Sequence, residues 1–213
     1  MTPGLQSSDG PGDARMRDRA EDNAEIHEVE TLSENHHPLR KYRFAYRRRD
    51  GTRQELQREV YGIGHGAAVL PLEPRRSTVL LTRQFRLPAY LNGHPDGMLV
   101  EAPAGLLDGE DPETAIRREA EEETGYRVEA VTRLGEFYMS PGSVTERLHF
   151  FAAPYSGVTR SSAGGGLAHE GEDIEVLELP FDEALDRIGR DIVDAKTIML
   201  LQWAALKGPF AAG

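Results

Sequence analysis

The chain has 213 residues, a formal net charge of −11 and no cysteine, a length that fits one domain with a smaller extension on a prior of roughly 100–200 residues per domain. The acidic balance excludes a general nucleic-acid binder, which needs a basic face to replace phosphate counterions. The missing cysteines exclude disulfides, zinc–thiolate sites and thiol nucleophiles.

Residues 1–25 are dominated by Gly, Pro, Asp, Arg, Ser and Glu, and ordering them has almost no hydrophobic return, so they read as a flexible tail. Residues 26–63 read as an N-terminal β extension. Within it, residues 42–49 have a strand pattern, Asp50-Gly51 suits a tight hairpin turn, and residues 57–63 form the returning strand. Residues 64–213 are expected to form the main domain.

In that domain residues 67–72 and Thr78–Phe85 are apolar and β-branched, and predict a core hairpin. Further strands are predicted at residues 98–102, 129–137, 148–153 and 173–179, each bounded by Gly or Pro. Helices are predicted at Pro112–Thr124, from about Asp182, and at residues 195–207, where Asp194 is a candidate cap and Gly208-Pro209 a stop. Mixed strands with few helices indicate an α/β or α+β sandwich. No stretch approaches the roughly 20 apolar residues that span a bilayer, and no secretory signal is visible at the N-terminus. The expected location is therefore the cytoplasm, without membrane or nucleic-acid partners.

The helix at Pro112–Thr124 is framed by Asp111 as cap, Pro112 at the first helical position and Gly125 as left-handed terminator. A run such as Glu119, Glu121, Glu122, Glu123 is ordinarily a solvated face. At about 100° per residue, however, Pro112, Ile116 and Ala120 form an apolar stripe that Glu119 and Glu123 share or border, while Glu121 points nearly opposite. Two carboxylates one turn apart on a core-facing stripe repel and lose solvation unless a cation compensates them. Hard Mg²⁺, which takes oxygen ligands and retains waters, suits that pair. Arg118 is expected to stabilise the helix or its neighbouring loop.

Gly105, Arg118-Glu119, Glu122-Glu123 and Gly125 resemble the signature of the Nudix hydrolases. With Asp111 as the acid of that pattern, five residues separate it from Gly105 but only six, rather than seven, from Arg118. This shortened box resembles the GDP-mannose hydrolase branch, as do Arg83-Gln84-Phe85-Arg86, Tyr138-Met139-Ser140-Pro141-Gly142, Val144-Thr145-Glu146 and Lys196-Thr197. The resemblance implies an α/β/α sandwich with a mixed sheet. It implies Mg²⁺, or alternatively Mn²⁺, held by Glu119, Glu123, the Ala104 carbonyl and Glu172. Residues 167–173, Leu-Ala-His-Glu-Gly-Glu-Asp, are about two residues longer than in that branch, and their Glu-x-Glu pair is similar to the ADP-ribose hydrolases. By that second likeness Glu170 is the general base, with Glu122 of the box as the other candidate catalytic carboxylate.

Arg86, Glu146 and Lys196 correspond to nucleotide-sugar contacts in the GDP-mannose branch, and Arg58-Glu59 to a contact made from the N-terminal strands. Where that branch carries an aromatic residue, this chain has His36. A lysine early in a helix is disfavoured by the helix dipole, which adds weight to a functional Lys196. The implied reaction is metal-assisted attack of water on a diphosphate, releasing a nucleoside monophosphate and a sugar phosphate. GDP-mannose is the leading substrate and ADP-ribose the alternative; a non-catalytic nucleotide-sugar-binding regulator is a third reading. The resemblance also implies a homodimer in which N-terminal strands reach the partner.

Overall fold

The structure, a computed structural model, describes residues 23–211, so most of the expected tail lies outside the described residues. The chain divides into two compact units: the residues up to Ile63 together with Gly142–Thr145, and Gly64–Pro141 together with the chain from Glu146 onward.

The first unit is an antiparallel sheet of β1 (Ala24–Ser33), β2 (Leu39–Arg47) and β3 (Arg53–Tyr61), in that order. β1 begins at Ala24, inside the stretch expected to be tail, because its cross-strand partners Tyr46 and Ala45 on β2 supply the ladder that its composition does not advertise. The β2–β3 connection corrects the two-residue turn expected at Asp50-Gly51. Gly51 N–H donates to Arg48 O (2.9 Å) and Arg48 N–H to Thr52 O (2.8 Å), closing a longer loop. Only Gly51 has positive φ (83°), as in hairpins where a type I turn is followed by one left-handed residue. Asp50 Oδ1 accepts from the Thr52 N–H (2.9 Å), the local bond that makes Asp a turn residue. The segment Gly142–Thr145 joins this unit through the Tyr61 N–H, which donates to Ser143 O (2.8 Å).

The second unit is built on a seven-stranded mixed sheet. Its main path runs β10 (Glu175–Pro180), β5 (Thr78–Phe85), β4 (Gly66–Glu73), β9 (Arg147–Pro154), β8 (Thr132–Tyr138). β4 and β9 are parallel and the other pairs antiparallel. The hairpin expected from residues 67–72 and 78–85 pairs only at Leu72↔Val79 and Glu73↔Thr78. Beyond that the two strands part, and β6 (Met98–Glu101) pairs with β5 while β7 (Ala104–Leu106) pairs with β4. The fork places residues 102–105 between the two central strands.

Side-chain alternation on β4 explains the layers. Ala67 and Val69 pack with Phe151, Ile116 and Ala120 on the face covered by α2 (Pro112–Thr124). Ala68, Leu70 and Leu72 pack with Phe150, Leu200, Leu201 and Ala204 on the face covered by α3 (Phe181–Asp186) and α4 (Ala195–Leu206). A central strand buried on both faces reads as a continuous apolar run, which is what residues 67–72 show. The result is an α/β/α sandwich with a mixed sheet, as the sequence led us to expect. A further short helix, α1 (Leu87–Leu91), follows β5 and buries none of its residues. Among the described residues no helix is long and apolar enough to cross a membrane.

Candidate active site

α2 begins and ends where its sequence dictates. Asp111 accepts from the Glu113 and Thr114 N–H groups (both 3.1 Å) and Pro112 opens the first turn. Gly125 closes it with φ 76°. The helix buries Ala115, Ile116, Ala120, Glu123 and Thr124, and each aliphatic side chain such as Ile116 contributes about 2 kcal/mol by leaving water. A carboxylate, Glu123, rides on the same buried stripe, only 1% exposed.

Glu123 Oε2 accepts from the Ala104 N–H on β7 (3.2 Å). One turn earlier, Glu119 lies against Gly105: a Cβ at that glycine would fall 2.2 Å from Glu119 Cδ. The two-strand fork thus delivers the backbone of residues 104–105 to both carboxylates, and glycine is required for the approach. Arg118 faces the outer side, where it binds Glu110 (3.2 Å), Glu119 (3.1 Å) and Glu122 (2.8 Å). Glu122 is accordingly held in an ion pair.

Burial pushes Glu119 up to about 7, with the like charges of Glu122 and Glu172 adding and Arg118 opposing. Burial likewise pushes Glu123 up to about 8, helped by Glu119 and Glu172 and opposed by the Ala104 N–H and Arg86. Oxygen-only donors whose negative charge burial makes costly, and which Arg118 and Arg86 offset only in part, suit a hard divalent cation. The fit lies in the chemistry of the donors: among the described residues no group of three or more His, Asp or Glu is gathered closely enough to hold a metal ion on its own.

Glu172 stands on a loop fastened to the end of α2 by main-chain bonds. Gly165 N–H donates to Glu123 O (2.9 Å), Gly166 N–H to Glu122 O (3.1 Å), and Ser161 N–H to Gly125 O (2.7 Å). The contact is glycine on glycine: a Cβ on Gly125 would come 2.4 Å from Ser162 O, and one on Gly164 2.5 Å from Thr124 C. Beyond this fastening, Ala168–Glu170 forms a 3-10 turn ended by Gly171 (φ 81°), and Glu172 Oε2 accepts from the Leu167 N–H (2.8 Å). The Glu170 side chain lies outside what the structure describes.

A second network adjoins the carboxylates. Arg86 forks onto Glu101 through Nε and Nη2 (both 2.9 Å), and Lys196 Nζ reaches the same carboxylate (2.7 Å) and Asp194 (3.1 Å). Glu101 is 3% exposed and Lys196 11%. Burial alone would raise Glu101, but Arg86 and Lys196 outweigh it and hold the carboxylate at about 2. For Lys196 burial disfavours the charge, and Glu101 and Asp194 overcome it, keeping the ammonium pKa above its usual value. The two anions also answer the helix dipole, which opposes a cation in the first turn of α4. Half-buried Glu146 is raised by burial and lowered in turn by Lys196.

Of the residues singled out from sequence, the structure brings Ala104, Glu119 and Glu123 together on β7 and α2, while Glu122 meets Arg118 on the outer side of the helix. Glu172 lies within electrostatic reach of Glu119 and Glu123. Arg86 and Lys196 meet on Glu101, and Glu146 feels Lys196. Arg58 and Glu59 are exposed on β3 of the other unit, where Arg58 Nη1 donates to Gln57 O (2.7 Å). Sequence reasoning passed over Glu101. Its signal was available: a single acid in the apolar strand Met98–Glu101 needs a cationic partner to be buried. Asp194 is the cap its position suggests, its Oδ2 accepting from the Thr197 N–H (3.0 Å) and hydroxyl (2.6 Å), and it is also a partner of Lys196. Thr197 Oγ1 in turn accepts from the Ala102 N–H (2.6 Å), tying α4 to the loop that carries Ala104.

Residues 63–201 match the model of the NUDIX domain, and residues 23–61 match that of the GDP-mannose pyrophosphatase NudK N-terminal domain. The chain is 49% identical over 187 residues to a GDP-mannose pyrophosphatase of Cronobacter sakazakii, covering 87% of this chain and 97% of that one. It is 54% identical over 191 residues to the protein of the same name from Pectobacterium atrosepticum, covering 89% and 97%. In structure it is similar to an ADP compounds hydrolase, with TM-score 0.67 and 19% identity over 88% of this chain and 97% of that chain, a likeness of fold. The chain belongs to the Nudix hydrolase family.

Proposed function

We propose that the protein hydrolyses the diphosphate of GDP-mannose to GMP and mannose 1-phosphate. The observation that carries this reading is the kinship of both units with GDP-mannose pyrophosphatases, at 49–54% identity over nearly the whole of two relatives. The site supports it: inward carboxylates on α2 stand beside a cationic pair, a largely buried Lys196 and a partly exposed Arg86, a combination suited to a diphosphate. We assign Glu119, Glu123, Glu172 and the Ala104 carbonyl as holders of Mg²⁺, with Mn²⁺ as the alternative. The bound ion would neutralise phosphoryl oxygens and make water more acidic.

In this reading Arg86, Lys196 and Glu146 hold the substrate, with Arg58 and Glu59 assigned to substrate binding by the family resemblance alone. Glu170 takes the proton of the attacking water as a new P–O bond forms and the bridging P–O bond breaks, the departing phosphate carrying away the bond's electrons. Glu122, fixed by Arg118, is the other candidate base. We place the enzyme in the cytoplasm, in keeping with a chain without cysteine, and read it as a homodimer. Exposed Ile26, Val29, Leu32, Tyr46 and Tyr61 on the N-terminal sheet support association.

Incubation with Mg²⁺ and a panel of nucleotide sugars, following nucleoside monophosphate release, tests the function. GMP from GDP-mannose is expected as the fastest product. Preferred release of AMP from ADP-ribose, the substrate class favoured by the Glu170-Gly171-Glu172 loop, would overturn the assignment. Tight binding of one member without turnover would point to a regulator. Glu123→Gln is expected to lose on the order of 100-fold in turnover, the scale of a lost charge-stabilising contact, with the fold intact by circular dichroism.

A further inference from the structure

We propose that Glu101 is a positioning residue for this reaction, its buried carboxylate locking Arg86 and Lys196 into a single cationic jaw for the diphosphate. The inference rests on the assignment of Arg86 and Lys196 to substrate binding. Arg86 arrives from the end of β5 and Lys196 from the first turn of α4, two elements far apart in the sequence. Both would repel one another at such range, and neither side chain is rigid by itself. Glu101 removes both difficulties: one oxygen accepts Arg86 Nε, and the other accepts both Arg86 Nη2 and Lys196 Nζ.

The hydrogen-bond pattern leaves the cations usable. Arg86 spends Nε and Nη2 on Glu101, and its Nη1 donates to none of the described residues. Lys196 has three N–H donors; one is spent on Glu101, and Asp194 lies in ion-pair range (3.1 Å). At least one donor on each cation therefore remains for phosphate oxygens, at positions fixed before substrate arrives. Glu101 itself is anchored in the sheet, paired with Thr82 of β5, whose hydroxyl donates to the Glu101 carbonyl (3.2 Å). At 3% side-chain exposure the carboxylate acts through the two cations, with no surface to offer a substrate.

The test is a double-mutant cycle on the full chain with Mg²⁺ and GDP-mannose, using Glu101→Asp, Arg86→Ala and the pair. Aspartate keeps the charge but is one methylene short, so it holds either the arginine or the lysine. Glu101→Asp is expected to lose on the order of 100-fold in kcat/KM, as about 1 Å of misplacement does. The loss should divide between KM and kcat as it does in Arg86→Ala, and within the Arg86→Ala background the same change should cost less than about threefold, because coupled residues are not additive. A merely structural Glu101 would lower the active fraction, reducing kcat at unchanged KM and adding fully to Arg86→Ala; that result overturns the proposal. Wild-type kinetics in Glu101→Asp with a crippled Arg86→Ala overturn it while leaving the substrate site standing. Wild-type kinetics in Arg86→Ala overturn both. If Glu101→Asp fails to fold, the same cycle run with Glu101→Gln decides by the same criteria.

Discussion

Gly105→Ala separates the position of Glu119 from the stability of the fold. Gly105 has no positive φ, so alanine meets no backbone strain. The added methyl would lie 2.2 Å from Glu119 Cδ and 2.3 Å from Oε1, against an ordinary contact of 3.4 Å or more. The carboxyl must therefore retreat by about 1 Å, a displacement that costs catalysis on the order of 100-fold, equivalent to about 2.7 kcal/mol of barrier. Because the nearest clashing atoms, Cγ (2.6 Å) included, all belong to the one side chain of Glu119 and none to backbone, a rotation of that side chain relieves the contact and the folding cost should stay near about 1 kcal/mol, a Tm change of about 2–4 °C for this chain length. GMP release and a thermal melt on the same preparation measure both. More than half of wild-type kcat/KM would refute the placement of Glu119, and a Tm loss beyond about 8 °C would show that the glycine serves the fold instead.

Three further outcomes are expected. With metal chelated, the folded chain keeps protons on Glu119 and Glu123 up to about pH 7 and 8, whereas the unfolded chain releases them near 4.5; the folded state binds more protons in that window, so its stability falls as pH rises through it. Melts in EDTA should give a lower Tm at pH 8.5 than at pH 5.5, with a shallower slope in Glu123→Gln and the largest gain from added Mg²⁺ at high pH; a flat or rising profile contradicts this. Asp111→Ala removes the cap of α2 and should cost about 1 kcal/mol, read as a lower denaturant midpoint. Ile116→Ala, at a fully buried position, should cost about 2–5 kcal/mol with an unchanged m-value, and a cost under about 1 kcal/mol would argue against the packing of α2 on β4.

The parts of the fold legible in the sequence are those written in local chemistry. α2 was bounded to the residue because Asp111, Pro112 and Gly125 each have one natural place in a helix, and its inward carboxylates followed from helical angle alone. Elements defined by their neighbours were harder. β1 exposes nearly every side chain, so it has no apolar alternation and exists through its ladder with β2. β7 is three residues, Ala-Gly-Leu, too short for any period. α1 carries proline in its first turn and buries nothing, leaving no amphipathic stripe to detect. The central strands looked like a hairpin because apolar runs do not reveal whether two strands stay paired or open into a fork. Glu101 was hidden for a related reason: its partners come from residues 86 and 196, and no spacing rule connects them.

The fastening between the end of α2 and the loop that bears Glu172 is made chiefly of peptide groups and glycines. Ile174 N–H closes the far side onto Gly165 O (3.2 Å), so residues 166–173 hang as a noose from a knot tied mainly by the backbone, with the Ser161 hydroxyl adding one bond to Gly125 O (3.2 Å). Drift in the side chains of the noose leaves the knot untouched, and lengthening a surface loop by a residue or two adds only a few tenths of a kcal/mol in closure entropy. The noose can therefore be resized without reopening the geometry of the carboxylates on the helix.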